Sequence, residues 1–237
     1  MMEHKMKVIA RIRTEFTDKF GIPRQSNLVP ELQGRIVFEP EFRSADAIRG
    51  IEEFSYIWLI WEFSKSKQEH VSLTVAPPRL GGRVKKGVFA TRSPFRPKPL
   101  VLSSVKLERV EMDEKEGPVL VVSGADLLDG TPIYDIKPYL PYADCHVDAA
   151  GSFAEEHKAD GIDVIFPEEL LGILPEEKRA AAYAVLAQDP RAAYNKKQDY
   201  VYGLAFAGYD IRFTATEDCI QVVDVVKRNQ EFFSKVK

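Results

Sequence analysis

The stretch "PLVLSSVKLERVEM", Pro99–Met112, followed by "GPVLVVSGADL", Gly117–Leu127, decides the fold class. Both are runs rich in Val and Leu, interrupted only by the charge cluster "DEKE" between them, and such composition suits a pleated, half-buried surface. Upstream, "KVIARIR" (7–13), "GRIVFEP" (34–40), "SYIWLIWEFS" (55–64) and "SLTVAP" (72–77) read the same way, with Gly, Pro and charge clusters between them. Six strands that close before residue 128 predict a mainly β fold. An open sheet would leave two unpaired edges, so a barrel is expected. One helix is expected in this half, over "SADAIRGIEEF", where Ser44 can cap the first turn and Ala47, Ile48 and Ile51 share a face.

Past Asp144 the composition changes. "GSFAEEHKADG" is small and polar, and "PEELLGILPEEKRAAAYAVLAQDP" carries helix formers between Pro175 and Asp189-Pro190. "YDIRFTAT" and "CIQVVDVV" then alternate as a strand pair. The division is therefore a β domain over 1–148, a linker near 144–160, and a small α+β C-terminal domain over 160–237.

The bulk properties narrow the function. A net charge of −3 on 237 residues argues against a generally basic polyanion binder, so any polyanion site is a local patch. No uncharged apolar run reaches about 18 residues, the length a membrane helix needs, and a soluble, cytoplasmic protein is expected. Cys145 and Cys219 make no disulfide framework, and the four histidines have no ligand spacing, so no metal is expected. Dinucleotide, P-loop and nucleophile-elbow glycine motifs are missing.

The local patch is visible. Between Glu69 and Glu108 there is no acidic residue, while Arg79, Arg83, Lys85, Lys86, Arg92, Arg96, Lys98 and Lys106 all fall there. Three prolines stiffen "TRSPFRPKP" around Phe95. Guanidinium groups fork onto phosphate oxygens and, like aromatic rings, stack on bases. The bland alternative is a solvated loop. A second cluster, "SGADLLDGTPIYDIKPYLPYAD", sets Asp126, Asp129 and Asp135 around a tight "DGTP" turn, followed by an extended polar segment without clear periodicity. A third, "FGIPRQSNL", delivers Arg24 and Gln25 after the first strand. The aromatics of "SYIWLIWEF" read as core.

Taken together, "IPRQ", "ADAIRGIEEFSYIWLIWEF", "PPRLGG", "GVFATRSPFRPKP" and "DLLDGTPIYDIKPYLPYAD", in that order, resemble the tRNA-methyltransferase O (TrmO, TsaA-like) family, and "AQDPRAAY" resembles its C-terminal extension. The resemblance implies a single β-barrel that binds S-adenosylmethionine without a metal, as a homodimer with the cofactor near the subunit boundary. It also implies methylation of N6 of threonylcarbamoyladenosine beside the anticodon of tRNA. Implied cofactor contacts are Pro23, Arg24, Gln25, Ser64, Lys65, Arg92, Leu102, Asp126, Leu127, Leu128 and Asp129. The chain departs from many relatives at Ser64, where they carry His, and in "KPLVLSS".

Methyl transfer to a ureido nitrogen is helped by a carboxylate that accepts its proton, and Asp129 and Asp135 are the expected acceptors. The structural alternative for Asp135 is pairing with Lys137 or capping a turn. Arg79, Arg83, Lys85 and Lys86 are expected to face tRNA phosphates. Arg191 and Tyr194 either extend that surface or form a helix-ending turn with a packed tyrosine. A barrel that binds RNA or cofactor without methyl transfer, and a methyltransferase on another substrate, are the competing readings.

Overall fold

The structure, a computed structural model, describes residues 5–63, 72–77, 80, 84–156, 161–191 and 200–228. Ser64, Lys65, Arg79, Arg83 and Tyr194 lie outside the described residues.

Six strands form the first sheet: β1 (Ala10–Arg13), β2 (Gln33–Phe38), β3 (Tyr56–Glu62) and, after the short ribbon β4 (Thr74–Val75) and β5 (Lys86–Gly87), β6 (Leu100–Asp113), β7 (Gly117–Ser123) and β8 (Pro132–Pro138). The hydrogen-bonded order is β1-β2-β7-β6-β3-β8, and β8 pairs back onto β1, so the sheet is a closed barrel. The β6–β7 turn forms because Asp113 Oδ1 accepts from the N–H groups of Lys115 (2.8 Å) and Glu116 (2.9 Å), an Asx turn that reverses the chain where the charge cluster sits. Alternate residues of the strands, among them Ile12, Ile36, Ile57, Leu59, Trp61, Val105, Leu120 and Val122, fill the barrel.

Two expectations need correction. "SLTVAP" is not a barrel strand; its Thr74 and Val75 pair only with β5, and the sixth place is taken by β8. Prolines at both ends and the exposed Lys137 hide the alternation of β8, and its pairing with β3 slips between Ile60 and Trp61. The helix expected over "SADAIRGIEEF" is instead two 3₁₀ turns, Ala45–Ile48 and Ile51–Glu53. Gly50 divides them at φ 85°, a left-handed conformation no helix tolerates. Ser44 does cap the first, accepting from Asp46 N at 3.2 Å.

After the short helices α1 (Pro141–Asp144) and α2 (Phe153–Glu156), the C-terminal part has four strands, β9 (Asp163–Ile165), β10 (Tyr202–Phe206), β11 (Tyr209–Ala215) and β12 (Cys219–Lys227). Their order is β10-β11-β12-β9, with β9 parallel to β12. Helices α3 (Glu168–Leu171) and α4 (Glu176–Ala187) complete it. Ala181, Ala182, Val185 and Leu186 of α4 are buried with Leu204, Ile211, Phe213, Ile220 and Val222 of the sheet.

This second core is not confined to the C-terminal part. It takes in Phe16, Val29 and Leu32 from the β1–β2 connection, and Leu128 from the β7–β8 connection. Phe20 packs on the stacked pair Tyr202 and Phe213, its ring centroid 6.4 Å from each and theirs 5.4 Å apart. Gly21, at φ 90°, lies so close to Leu204 that a Cβ there would stand 2.1 Å from its Cδ1. The connection that carries Arg24 and Gln25 is thus clamped by the C-terminal sheet.

Candidate cofactor site and its surroundings

Three connections meet at one rim of the barrel. Asn27, in the left-handed region at φ 62°, donates from its backbone to Gly124 O (2.8 Å) and from Nδ2 to Ser104 O (2.9 Å). Gly124 has to be glycine, because it sits at φ 74° and a Cβ would fall 2.5 Å from Asn27 Oδ1 and 3.1 Å from Asn27 Cα. The β1–β2 connection is thereby seated across β6 and the start of the β7–β8 connection.

On that seat stand Gln25, Arg92 and Asp126. Arg92 Nη1 donates to Gln25 Oε1, and Gln25 Nε2 donates to Arg24 O at 2.5 Å. Asp126 Oδ1 accepts from Ser103 Oγ at 2.7 Å. Burial pushes the Asp126 carboxyl above its ordinary range; the Ser103 hydroxyl, the N–H groups of Asp126 and Ser26, and the nearby Arg92 charge pull in the opposite direction. Leu102 is 50% exposed on the outer face of β6, beside the likewise exposed Leu100 and across from Ile60 of β3. A partly desolvated carboxylate and an exposed guanidinium therefore border one place, while the Leu102 side chain lies on the face of β6 opposite to Ser103.

The neighbours of Asp126 do something different. Leu127 fills the barrel core and Leu128 the second core, so their side chains anchor Asp126 rather than face an opening. Pro23 is buried as well. Asp129 takes Thr14 N on Oδ1 (3.0 Å) and gives its own N–H to Phe16 O (2.9 Å), closing the "DGTP" turn onto β1. Asp135 accepts from Ile136 N (2.9 Å) and pairs with Lys137 Nζ (2.8 Å), the structural alternative for that residue.

Among the basic residues, Lys85 is exposed, and Lys86 is half-buried with its ammonium 5.5 Å from the centre of the Phe153 ring. Phe89 (76% exposed) and Phe95 are also uncovered in the segment that follows. Arg96 turns back onto Thr91 O (2.9 Å) and holds the proline loop together. Arg191 must be removed from the expected RNA surface. It is 2% exposed, its Nε and Nη2 grip the two oxygens of Asp189 at 2.7 and 3.0 Å, and Nη1 donates to Thr216 O at 2.8 Å. All three nitrogens are thus engaged within the protein and the guanidinium is buried away from any solvent-side phosphate. Among the described residues, no group of three or more His, Cys, Asp and Glu could hold a metal ion, and no helix is long and apolar enough to cross a membrane.

Sequence reasoning missed Ser103 and gave Trp61 only a packing role. Trp61 Nε1 donates to Ser103 Oγ at 3.0 Å, within the barrel. A serine at an inward position of a Val- and Leu-rich strand is the one signal that points to this contact.

A closed antiparallel barrel with an α+β extension does not by itself fix a function, and comparison with known proteins decides the class. Residues 11–145 match the model of the tRNA-methyltransferase O N-terminal domain, and residues 160–228 that of the TrmO C-terminal domain. The chain belongs to the tRNA-methyltransferase O family. It is 38% identical over 230 residues (94% of this chain, 97% of the relative) to the tRNA (adenine(37)-N6)-methyltransferase of Escherichia coli K12. It is also 39% identical over 233 residues (94% and 98%) to a putative S-adenosylmethionine-dependent methyltransferase, RcsF, of Pseudomonas aeruginosa. A crystal structure of TrmO superimposes with a TM-score of 0.76 at 34% identity, covering 95% of this chain and all of the other. TrmO from Pseudomonas aeruginosa does so with 0.75 at the same identity and coverage. The protein is an enzyme of this methyltransferase type.

Proposed function

We propose that the rim formed by Gln25, Arg92, Leu102 and Asp126 binds S-adenosylmethionine, and that the protein methylates N6 of threonylcarbamoyladenosine at adenine 37 of tRNA, the position in the name of the Escherichia coli relative. The observation that carries the reading is the placement of a half-buried carboxylate within electrostatic reach of an exposed guanidinium, on connections pinned together at the barrel rim. That donor and acceptor set fits the cofactor's chemistry. Asp126 suits a cationic ammonium or ribose hydroxyls, Arg92 a carboxylate, and Leu102 the face of a purine. The cofactor, when bound, supplies an electrophilic methyl group on a sulfonium.

The protein's own share is positioning, which can contribute several kcal/mol when nucleophile and electrophile are held in line. Asp129, which accepts from Thr14 N, and Asp135, paired with Lys137, are the candidate proton acceptors, each with acceptor sites beyond those contacts. Lys85 and Lys86, with the exposed rings of Phe89 and Phe95, are placed to hold phosphates and stack on unpaired bases of the RNA. The exposed Leu100 and Leu102, next to the rim, support a homodimer in which a second copy covers the cofactor's edge.

The test is mass spectrometry of anticodon-loop nucleosides after incubation with methyl-labelled S-adenosylmethionine and tRNA with or without threonylcarbamoyladenosine. Label only on the modified nucleoside is expected. Label on unmodified tRNA would point to another substrate, and no label on either to a binding barrel without transfer.

A further inference from the structure

The buried contact that sequence reasoning missed has a direction. An indole nitrogen only donates, so Trp61 Nε1, 3.0 Å from Ser103 Oγ, obliges that oxygen to accept. The hydroxyl of Ser103 then has its proton to give, and Asp126 Oδ1 lies 2.7 Å away. Trp61 is 3% and Ser103 1% exposed, so water does not compete with either contact. The Trp61 step is fixed because an indole N–H can only donate, and the Ser103 step runs to Asp126 whenever that carboxyl is ionised, since a carboxylate can only accept.

We infer that Trp61 and Ser103 are positioning residues which fix the orientation of the Asp126 carboxylate and keep it a proton-free acceptor for a cationic or hydroxyl-bearing ligand at the barrel rim. Ser103 holds Oδ1 from inside the barrel, and the acceptor sites left on the carboxylate are those a ligand can meet. The groups that act on this carboxylate come from each surrounding connection: Ser103 from β6, the Ser26 N–H from the β1–β2 connection, the backbone N–H of Asp126 itself, and the Arg92 charge from the proline loop. Burial opposes the charged state, and the Ser103 hydroxyl is the largest of the influences that restore it. A strand residue inside a barrel is a firmer support than a loop contact, because its rotamer is locked by packing on every side. The inference rests on the proposed cofactor role of Asp126.

The test has one readout that does not depend on turnover. Carbon-13 labelling of aspartate carboxyls allows the titration of Asp126 to be followed by NMR, with Asp126→Asn identifying its signal. In Ser103→Ala the midpoint should move upward, because the charged form loses its hydroxyl donor, and Trp61→Phe should move it the same way by less. Loss of a hydrogen bond to a charged group weakens binding by about tenfold. Calorimetry with S-adenosylmethionine alone should show about that loss in Ser103→Ala, and no further loss when Ser103→Ala is added to Asp126→Asn. A midpoint that stays in place in Ser103→Ala overturns the relay, whatever the binding shows. A moved midpoint with S-adenosylmethionine affinity unchanged in every variant, Asp126→Asn included, overturns instead the cofactor reading beneath it.

Discussion

Arg24 donates through Nη2 to the backbone carbonyl of Arg191, 2.9 Å away, and so ties the connection that carries Gln25 to the turn that follows α4. The tie continues in both directions. Arg191 is gripped by Asp189 and Thr216 on one side, and on the other Gln25 receives Arg92 at the barrel rim. With Phe16, Val29 and Leu32 buried in the same core as α4, the C-terminal part acts here as the support of one wall of the proposed cofactor site.

Arg191→Ala should therefore behave as a positioning variant. Removing one partner of a buried, hydrogen-bonded ion pair costs about 3–5 kcal/mol. Chemical denaturation should show that loss, and calorimetry a weaker affinity for S-adenosylmethionine. The salt dependence of tRNA binding should stay at the wild-type slope, because no phosphate contact has been removed. A reduced slope at normal stability would return Arg191 to the RNA surface.

Gly21→Ala tests the clamp from the other side. The new Cβ meets Leu204 Cδ1 at 2.1 Å in a left-handed backbone, so both overpacking and strain apply. A loss of about 1–3 kcal/mol in urea denaturation is expected. No measurable loss would mean that the connection is not held against β10.

How much of this could be read beforehand differs from residue to residue. The β6–β7 hairpin was legible because Val and Leu crowd on either side of a charged turn, and the C-terminal strand pair because it alternates. β8 was not, since Pro132 and Pro138 bound it and a bulge on β3 breaks its register, whereas "SLTVAP" has strand composition without a barrel neighbour. Arg191 was left between an RNA surface and a helix-ending turn because burial of a charge depends on partners 2 and 25 residues along the chain, which spacing does not reveal. Asp126 stood out in the carboxylate cluster around the "DGTP" turn, and family resemblance supplied its cofactor role. Its inner partners Ser103 and Trp61 did not stand out, because a hydrogen bond across 42 residues inside a barrel leaves no local pattern.

Lys85→Gln combined with Lys86→Gln should raise KM for tRNA and flatten the fall of affinity with salt. Each lost phosphate contact removes about 0.7–0.9 from the logarithmic slope. Affinity for S-adenosylmethionine should be nearly intact, as neither lysine touches the rim residues. An unchanged KM and slope would make this segment a solvated loop.

Asp126→Asn separates stability from function. A carboxyl whose folded-state value is raised binds its proton more readily folded than unfolded, so its contribution to stability is complete at low pH and is lost as pH rises through the folded value. At neutral pH the charged Asp126 thus opposes folding. Asn, which is neutral and still accepts from Ser103, should unfold at a higher temperature at pH 7 and show a smaller decline in stability on the alkaline side of the carboxylate range. Thermal unfolding scans across pH measure both; a lower melting temperature at pH 7 would contradict the assignment of burial as the dominant influence.

The most direct measurement of the whole account is calorimetric titration of S-adenosylmethionine into Arg92→Ala and Arg92→Lys, without tRNA, alongside turnover on modified tRNA. Arg92 supplies a planar donor set that an ammonium does not reproduce. The account predicts that both variants lose affinity by about tenfold or more, the value of a charge-assisted hydrogen bond, with turnover falling in parallel. Wild-type affinity and wild-type turnover in both would contradict it and place the cofactor elsewhere on the molecule.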